Sequence, residues 1–159
     1  MQVTIIAYVT STLPQVADQA QAAAPSALSE ALDRVGDRWT LLIVAALLDG
    51  PRRFNDLLAD VPGIAPNILT QRLRHLERAA LAVSRPYSSR PPRFVYELTG
   101  AGAELAGALR LLSDWGARHA EGAEPLRHAA CGTELEARWW CPACEVTVED
   151  SDADDAQLV

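Results

Sequence analysis

Two groups of residues have types and spacing suited to chemistry. The first is His128-x2-Cys131-x9-Cys141-x2-Cys144, which holds all three cysteines of the chain. Thiolates and imidazole are good zinc ligands, and an x2 spacing lets one tight turn present both members of a pair. Gly132 and Pro142 supply turn formers there. The spacing predicts a structural zinc site with no open coordination position, and Glu134 or Glu145 could replace His128. A redox switch using Cys141 and Cys144, or cysteines with no ligand, are the alternatives. The second group is Asn67, Thr70, Gln71, Arg74 and Arg78, spaced to share one side of a helix. Asn and Gln can pair bidentately with adenine, and Arg with guanine.

The elements that must position the second group are legible in the periodicity. Ser26 can cap a helix carrying Leu28, Ala31, Leu32 and Val35, which Gly36 ends. Asp37 can cap a second helix. It is apolar almost all round from Trp39 to Leu48, so it belongs in the core. Phe54, Leu57 and Leu58 mark a third helix, and Val61-Pro62-Gly63 a turn. A fourth helix begins at Pro66 and runs to about residue 80. At 100° per residue, Leu69, Leu73, Leu76 and Ala80 fall within about ±20° of each other, which predicts the buried stripe. Asn67, Gln71, Arg74 and Arg78 lie opposite it. The period then switches to alternation over 81–85 and 93–98, two strands joined by a proline-stiffened tip. Arg90 and Arg93, with Tyr87, Ser88 and Ser89, suit phosphate and minor-groove contacts. Arg52 and Arg53 precede the third helix, where they could clamp a phosphate. Thr99 caps one long helix to about Ala120, with Leu105, Leu109, Leu112 and Trp115 along one side.

Four parts result: an N-terminal extension 1–25, a winged helix-turn-helix domain 26–120, a Cys-rich ribbon 121–148 and an acidic tail 149–159. Val3 to Thr10 could form a strand, and the tail should be disordered. Glu134 to Trp140 could be a hairpin strand, with Trp139 and Trp140 packing on the neighbouring domain. The fold class is mainly α with a small β-hairpin wing and a small C-terminal Cys-rich ribbon.

Charge sharpens this reading. The net charge of the 159 residues is −7, yet 50–98 holds eight Arg against four acids, and 145–159 holds six acids and no base. Local charge sets a binding face, so the total does not exclude nucleic acid. No stretch approaches the ~20 apolar residues of a membrane span. No positive residue precedes the apolar Val3 to Val9, so a secretory signal is not expected and a cytoplasmic location is. No nucleophile–base pair, phosphate loop or convincing carboxylate pair points to an enzyme.

Residues 27–119 resemble the HxlR-type winged helix-turn-helix transcriptional regulators. The segments that carry the resemblance are Ala31 to Ile43, Gly50 to Leu57, Pro62 to Ile64, Leu69 to Glu77 and Pro91 to Thr99. The resemblance implies a homodimeric bacterial regulator of double-stranded DNA. The helix at about 66–80 would lie in the major groove, with the hairpin 81–98 as wing. It also implies a dimer through the first and last helices, here Leu28 and Leu32 with Leu105, Leu109, Leu112 and Trp115. Two departures stand out. Ala65 sits where members often carry Ser before the recognition helix. The stretch 24–28 has no Cys, where many members have one, so sensing by that residue is not available. Trp140 to Cys144 is similar to a thioredoxin redox motif, but only 15 residues follow Cys144, too few for the fold that chemistry needs. The rival reading is a protein–protein interaction module built on a winged helix with a structural zinc ribbon.

Overall fold

A computed structural model of the chain describes residues 26–148. The expected extension 1–25, its strand and the acidic tail 149–159 lie outside the described residues. Helix α1, Ala27–Val35, starts on Ser26, whose Oγ accepts the Ser29 N–H at 3.2 Å. Helix α2, Arg38–Leu48, starts on Asp37, whose Oδ1 accepts the N–H groups of Trp39 and Thr40 at 3.0 and 3.1 Å. Both caps satisfy donors that a helix start leaves unpaired. Thr40, Ile43, Val44 and Leu47 of α2 are buried, but Leu42 is exposed. The helix is thus buried on one side only, not all round.

A two-residue strand that the sequence does not announce follows α2. This β1, Arg52–Arg53, pairs with Tyr96 and Val95. Helix α3, Phe54–Asp60, has its first turn closed by Asp56, which accepts the Arg53 N–H at 2.9 Å. Gly63 turns the chain at φ 82°, and α4, Pro66–Arg78, begins. Its Leu69, Leu73 and Leu76 join Ile43, Val44, Leu47, Leu57, Val61, Ile64 and Ala82 in one core. Ala80 does not join them. It sits exposed past the helix end at φ 55°, while Ala80 N–H donates to Glu77 O and Leu81 N–H to Leu76 O. Those two bonds are a Schellman cap with Ala in the left-handed position that Gly usually takes.

Strands β2, Ala82–Ser89, and β3, Pro92–Leu98, run further than the alternation predicts and leave only Arg90 and Pro91 at the tip. The sheet order is β1-β3-β2, so Pro86 lies on an edge strand, where its missing N–H is tolerated. A register shift between Pro86 and Ser88 leaves Tyr87 as the extra residue of a bulge.

The expected long helix is two. Thr99 caps α5, Gly100–Ala103, through the Gly102 N–H, and its hydroxyl donates to Ala80 O at 2.7 Å. Gly102 packs so close to the Leu81 carbonyl that a Cβ would lie 2.0 Å from its oxygen. That anchor, with two glycines of low helix propensity, breaks the helix before α6, Ala106–His119. Beyond it lie two small hairpins. One is closed by the Arg127–Glu134 bridge, and the other is β4, Trp139–Cys141, with β5, Val146–Val148. Trp139 and Trp140 are both largely exposed, though Trp139 lines a groove shared with Gly107, Arg110 and Leu111 of α6.

Candidate nucleic-acid interface

Burying Leu69, Leu73 and Leu76 turns Asn67, Gln71, Arg74 and Arg78 outward, as the 3.6-residue period requires. With Thr70 they line a shallow groove, and Glu77 stands beside them as an acid the periodicity does not flag. The Thr70 hydroxyl donates to Pro66 O at 2.9 Å, so its proton is engaged within the helix and its oxygen can act only as an acceptor. Arg78 Nε donates to Arg74 O at 3.3 Å, laying that side chain along the helix. Ala65 makes no side-chain cap bond.

Long-range contacts fix the angle at which this face is presented. Arg72 Nε pairs with Asp37 Oδ1 at 3.0 Å, and a ring nitrogen of His75 meets Arg34 O at 2.7 Å. Both tie α4 to the junction of α1 and α2. Tyr96 lies under the same face. Burial, then the nearby Glu77, pushes its phenol above its ordinary range, while Arg74 opposes them.

The wing carries Arg90, Arg93, Tyr87 and Ser89 exposed, with Ser88 half-buried. Arg53 stacks over the Tyr87 ring at 4.7 Å. Between the start of α3 and the wing runs a groove of about 570 Å3 lined by Arg53, Asn55, Tyr87, Arg93 and Phe94 among others. Asn55 carries no mark in the sequence, because its position one residue into a short helix gives no periodic signal. Arg52 departs from the expected phosphate clamp. Its Nε holds Asp60 at 2.9 Å, an Nη lies 3.9 Å from Asp49, and Nη1 donates to Gly50 O and Pro51 O. Its guanidinium fastens α3 to the preceding turn.

The expected dimer residues divide. Leu105 and Leu109 pack against the chain's own core. Leu28, Leu32, Leu112 and Trp115 remain 53%, 55%, 54% and 57% exposed. Trp115 stacks on His119 with ring centres 4.5 Å apart.

The four expected metal ligands come together as two pairs. His128 Nδ1 lies 3.2 Å from Cys131 Sγ, which is 3.3 Å from Thr133 Oγ1. Hydrogen bonding to the Thr133 hydroxyl, to its backbone and then to His128 brings the Cys131 thiol down to about 7. The backbone N–H groups of Cys144 and Ala143, then the Cys144 thiol, lower that of Cys141. Among the described residues, no group of three or more His, Cys, Asp or Glu is close enough to hold a metal ion.

Comparison with known proteins agrees with this geometry. The profile of the HxlR-like helix-turn-helix family matches residues 34–124. An HTH-type transcriptional regulator of Mycobacterium tuberculosis is 39% identical over 129 residues, covering 77% of this chain and 81% of that protein. The crystal structure of the HTH-type regulator YtcD, a Bacillus subtilis protein, is 35% identical with a TM-score of 0.55, covering 59% of this chain and 96% of that one. A transcription-factor structure from Pseudomonas aeruginosa is 33% identical with a TM-score of 0.60, covering 80% and 88%. No helix among the described residues is long and apolar enough to cross a membrane.

Proposed function

This chain belongs to the HxlR-like helix-turn-helix family, and on that premise we propose that it regulates transcription as a homodimer that reads duplex DNA through α4. The observation that carries the reading is the division of α4. Its leucine stripe is buried, while Asn67, Gln71, Arg74 and Arg78 face out beside an arginine-bearing wing. A helix fits the major groove of B-DNA, and these side chains have the donors and acceptors that base edges need. Arg53, Arg90 and Arg93, with Tyr87, Ser88 and Ser89, grip the backbone and the adjacent groove. Arg52 is left out of the set, because its donors are engaged within the chain. Residues 26–120 form the DNA-binding and dimerisation unit, and 121–148 a separate unit attached to it. Such a regulator works in the cytoplasm, with the DNA.

Open apolar residues on α1 and α6 support the dimer. Two copies joined there would set their α4 helices on half-sites about 34 Å apart, one turn of DNA. Selection from a random duplex pool, followed by footprinting at two salt concentrations, tests the reading. Expected are two protected patches on one face, about 10 base pairs apart, fading at high salt. Gln71→Ala or Arg74→Ala should relax base preference at one half-site position by about 1–3 kcal/mol. Arg90→Ala or Arg93→Ala should weaken all sequences alike. Sedimentation should show a dimer that Trp115→Glu dissociates. A pool from which nothing binds would overturn the reading in favour of a protein-docking role.

A further inference from the structure

The 28 residues from 121 to 148 contain no buried residue, yet they form two ordered hairpins. Hairpins this small are marginal in water, and units without a core are usually held by a disulfide or a metal. The tips of the two are built alike. In the first, the fifth residue, Gly132, donates its N–H to His128 O at 2.8 Å and adopts φ 71°. In the second, the fifth residue, Glu145, donates to Cys141 O at 2.9 Å and adopts φ 57°. Each turn therefore offers the side chains of its first and fourth residues on one side: His128 with Cys131, and Cys141 with Cys144. Glu145 reaches the left-handed region without the freedom of a glycine, so the second turn keeps this form against its local preference.

We propose that the two tips close on one tetrahedral zinc ion, held by His128, Cys131, Cys141 and Cys144. Each pair supplies one edge of the tetrahedron. Bond lengths of about 2.0–2.1 Å to nitrogen and 2.3 Å to sulfur make an N···S edge of about 3.6 Å. The existing separation of 3.2 Å between His128 Nδ1 and Cys131 Sγ needs only a few tenths of an ångström more. The thiol protons of Cys131, Cys141 and Cys144 leave to solvent as the sulfurs bind, and His128 binds as neutral imidazole. Three thiolates around Zn2+ leave a net charge of −1. Arg127, whose Nη1 donates to Gly132 O at 3.1 Å, stands beside the first tip to balance it.

In the chain alone the pairs stand apart, and the ion supplies the attraction that brings them together through the exposed link 136–138. A Cys141–Cys144 disulfide cannot do the same. Joining Cys141 to Cys144 ties one turn to itself, whereas the metal joins residue 128 to residue 144 and clamps both hairpins. With four protein ligands the ion has no open position, so its role is structural. The Pseudomonas aeruginosa structure covers 80% of this chain, more than residues 1–120 of the 159 could supply, so part of the segment after residue 120 has a counterpart there.

The test is to purify the full chain under reducing conditions without chelator and measure its zinc. The expected result is one zinc per chain, replaceable by Co2+ with a thiolate-to-cobalt charge-transfer band and the strong visible absorption of a tetrahedral site. Cys131→Ser and the double variant Cys141→Ser/Cys144→Ser should each lose the metal. Helical circular dichroism of the winged unit should be retained in both, which separates loss of the site from failure to fold. Several results would overturn the proposal: a chain with reduced thiols that takes up neither metal, zinc retained by Cys131→Ser, or one zinc per two chains. A Cys141–Cys144 disulfide in place of the metal would overturn it too. None of these readouts depends on DNA.

Discussion

Replacing Asp37 by Ala should cost about 1–3 kcal/mol of stability. Its carboxylate accepts the N–H groups of Trp39 and Thr40 and pairs with Arg72 of the reading helix. Loss of a helix N-cap costs about 0.5–2 kcal/mol. Both partners of the ion pair keep about a third of their side-chain surface in water, so solvent screening holds its share below about 1 kcal/mol. For a unit near 100 residues, each kcal/mol shifts the midpoint by roughly 4–8 °C, so a drop of about 4–24 °C is expected. Thermal unfolding at fixed protein concentration reads it, because a dimer's midpoint moves with concentration. Asp37→Asn is the discriminating control. It keeps an oxygen for the two N–H groups and removes only the charge, so it should lose less than about 1 kcal/mol. If Asn proves as costly as Ala, the cap is not what stabilises this junction and the reasoning fails. An Asp37/Arg72 double-mutant cycle should return a coupling under about 1 kcal/mol; a larger value would mean the pair had been undervalued.

Ala80→Gly should stabilise the fold by about 0.5–1 kcal/mol in chemical denaturation. It removes a left-handed Ala that costs about 1–2 kcal/mol and gives part of that back as unfolded-chain entropy. Gly102→Ala should destabilise by about 1–3 kcal/mol, because its Cβ meets the Leu81 backbone. Gly107→Ala, with open space at its Cβ, should be neutral or stabilising in the same assay. Tyr96, raised by burial, should ionise above the ordinary phenol range in an ultraviolet titration, and Tyr96→Phe should remove that step. The sign follows: the unfolded chain ionises first, near pH 10, so stability falls as pH rises from there through the folded pKa.

The elements that were legible owe it to local chemistry. Ser26, Asp37 and Thr99 announce their helices because a cap bond spans only two or three residues. The leucines of α4 announce its buried side because the period is short. What was illegible depends on distant partners. Two residues are too few to show alternation, so β1 exists only because β3 lies beside it. Ala80 carries no mark of a left-handed backbone. The split between α5 and α6 comes from the approach of Gly102 to Leu81, 21 positions away. The prolines near the wing tip read as loop, although the edge strand β2 tolerates Pro86 and the first position of β3 tolerates Pro92. At the candidate site, residue type identified the face of α4, but neighbouring Arg52 and Arg53 look identical in sequence. Only the arrival of Asp60 separates the structural arginine from the one over Tyr87.

That separation extends along the basic segment and bears on thermodynamics. Of its eight arginines, Arg52, Arg72 and Arg85 are already neutralised by Asp60, Asp37 and Glu97. Five form no ion pair among the described residues: Arg53, Arg74, Arg78, Arg90 and Arg93. Only these can expel condensed cations when a phosphate backbone arrives. A logarithmic plot of affinity against ionic strength should therefore have a limiting slope no steeper than about −4.5 per protomer, and shallower where Arg74 reads a base, not the roughly −7 that counting all eight would give. The acids that fasten the fold thus also cap the mixing entropy of released counterions available to drive binding.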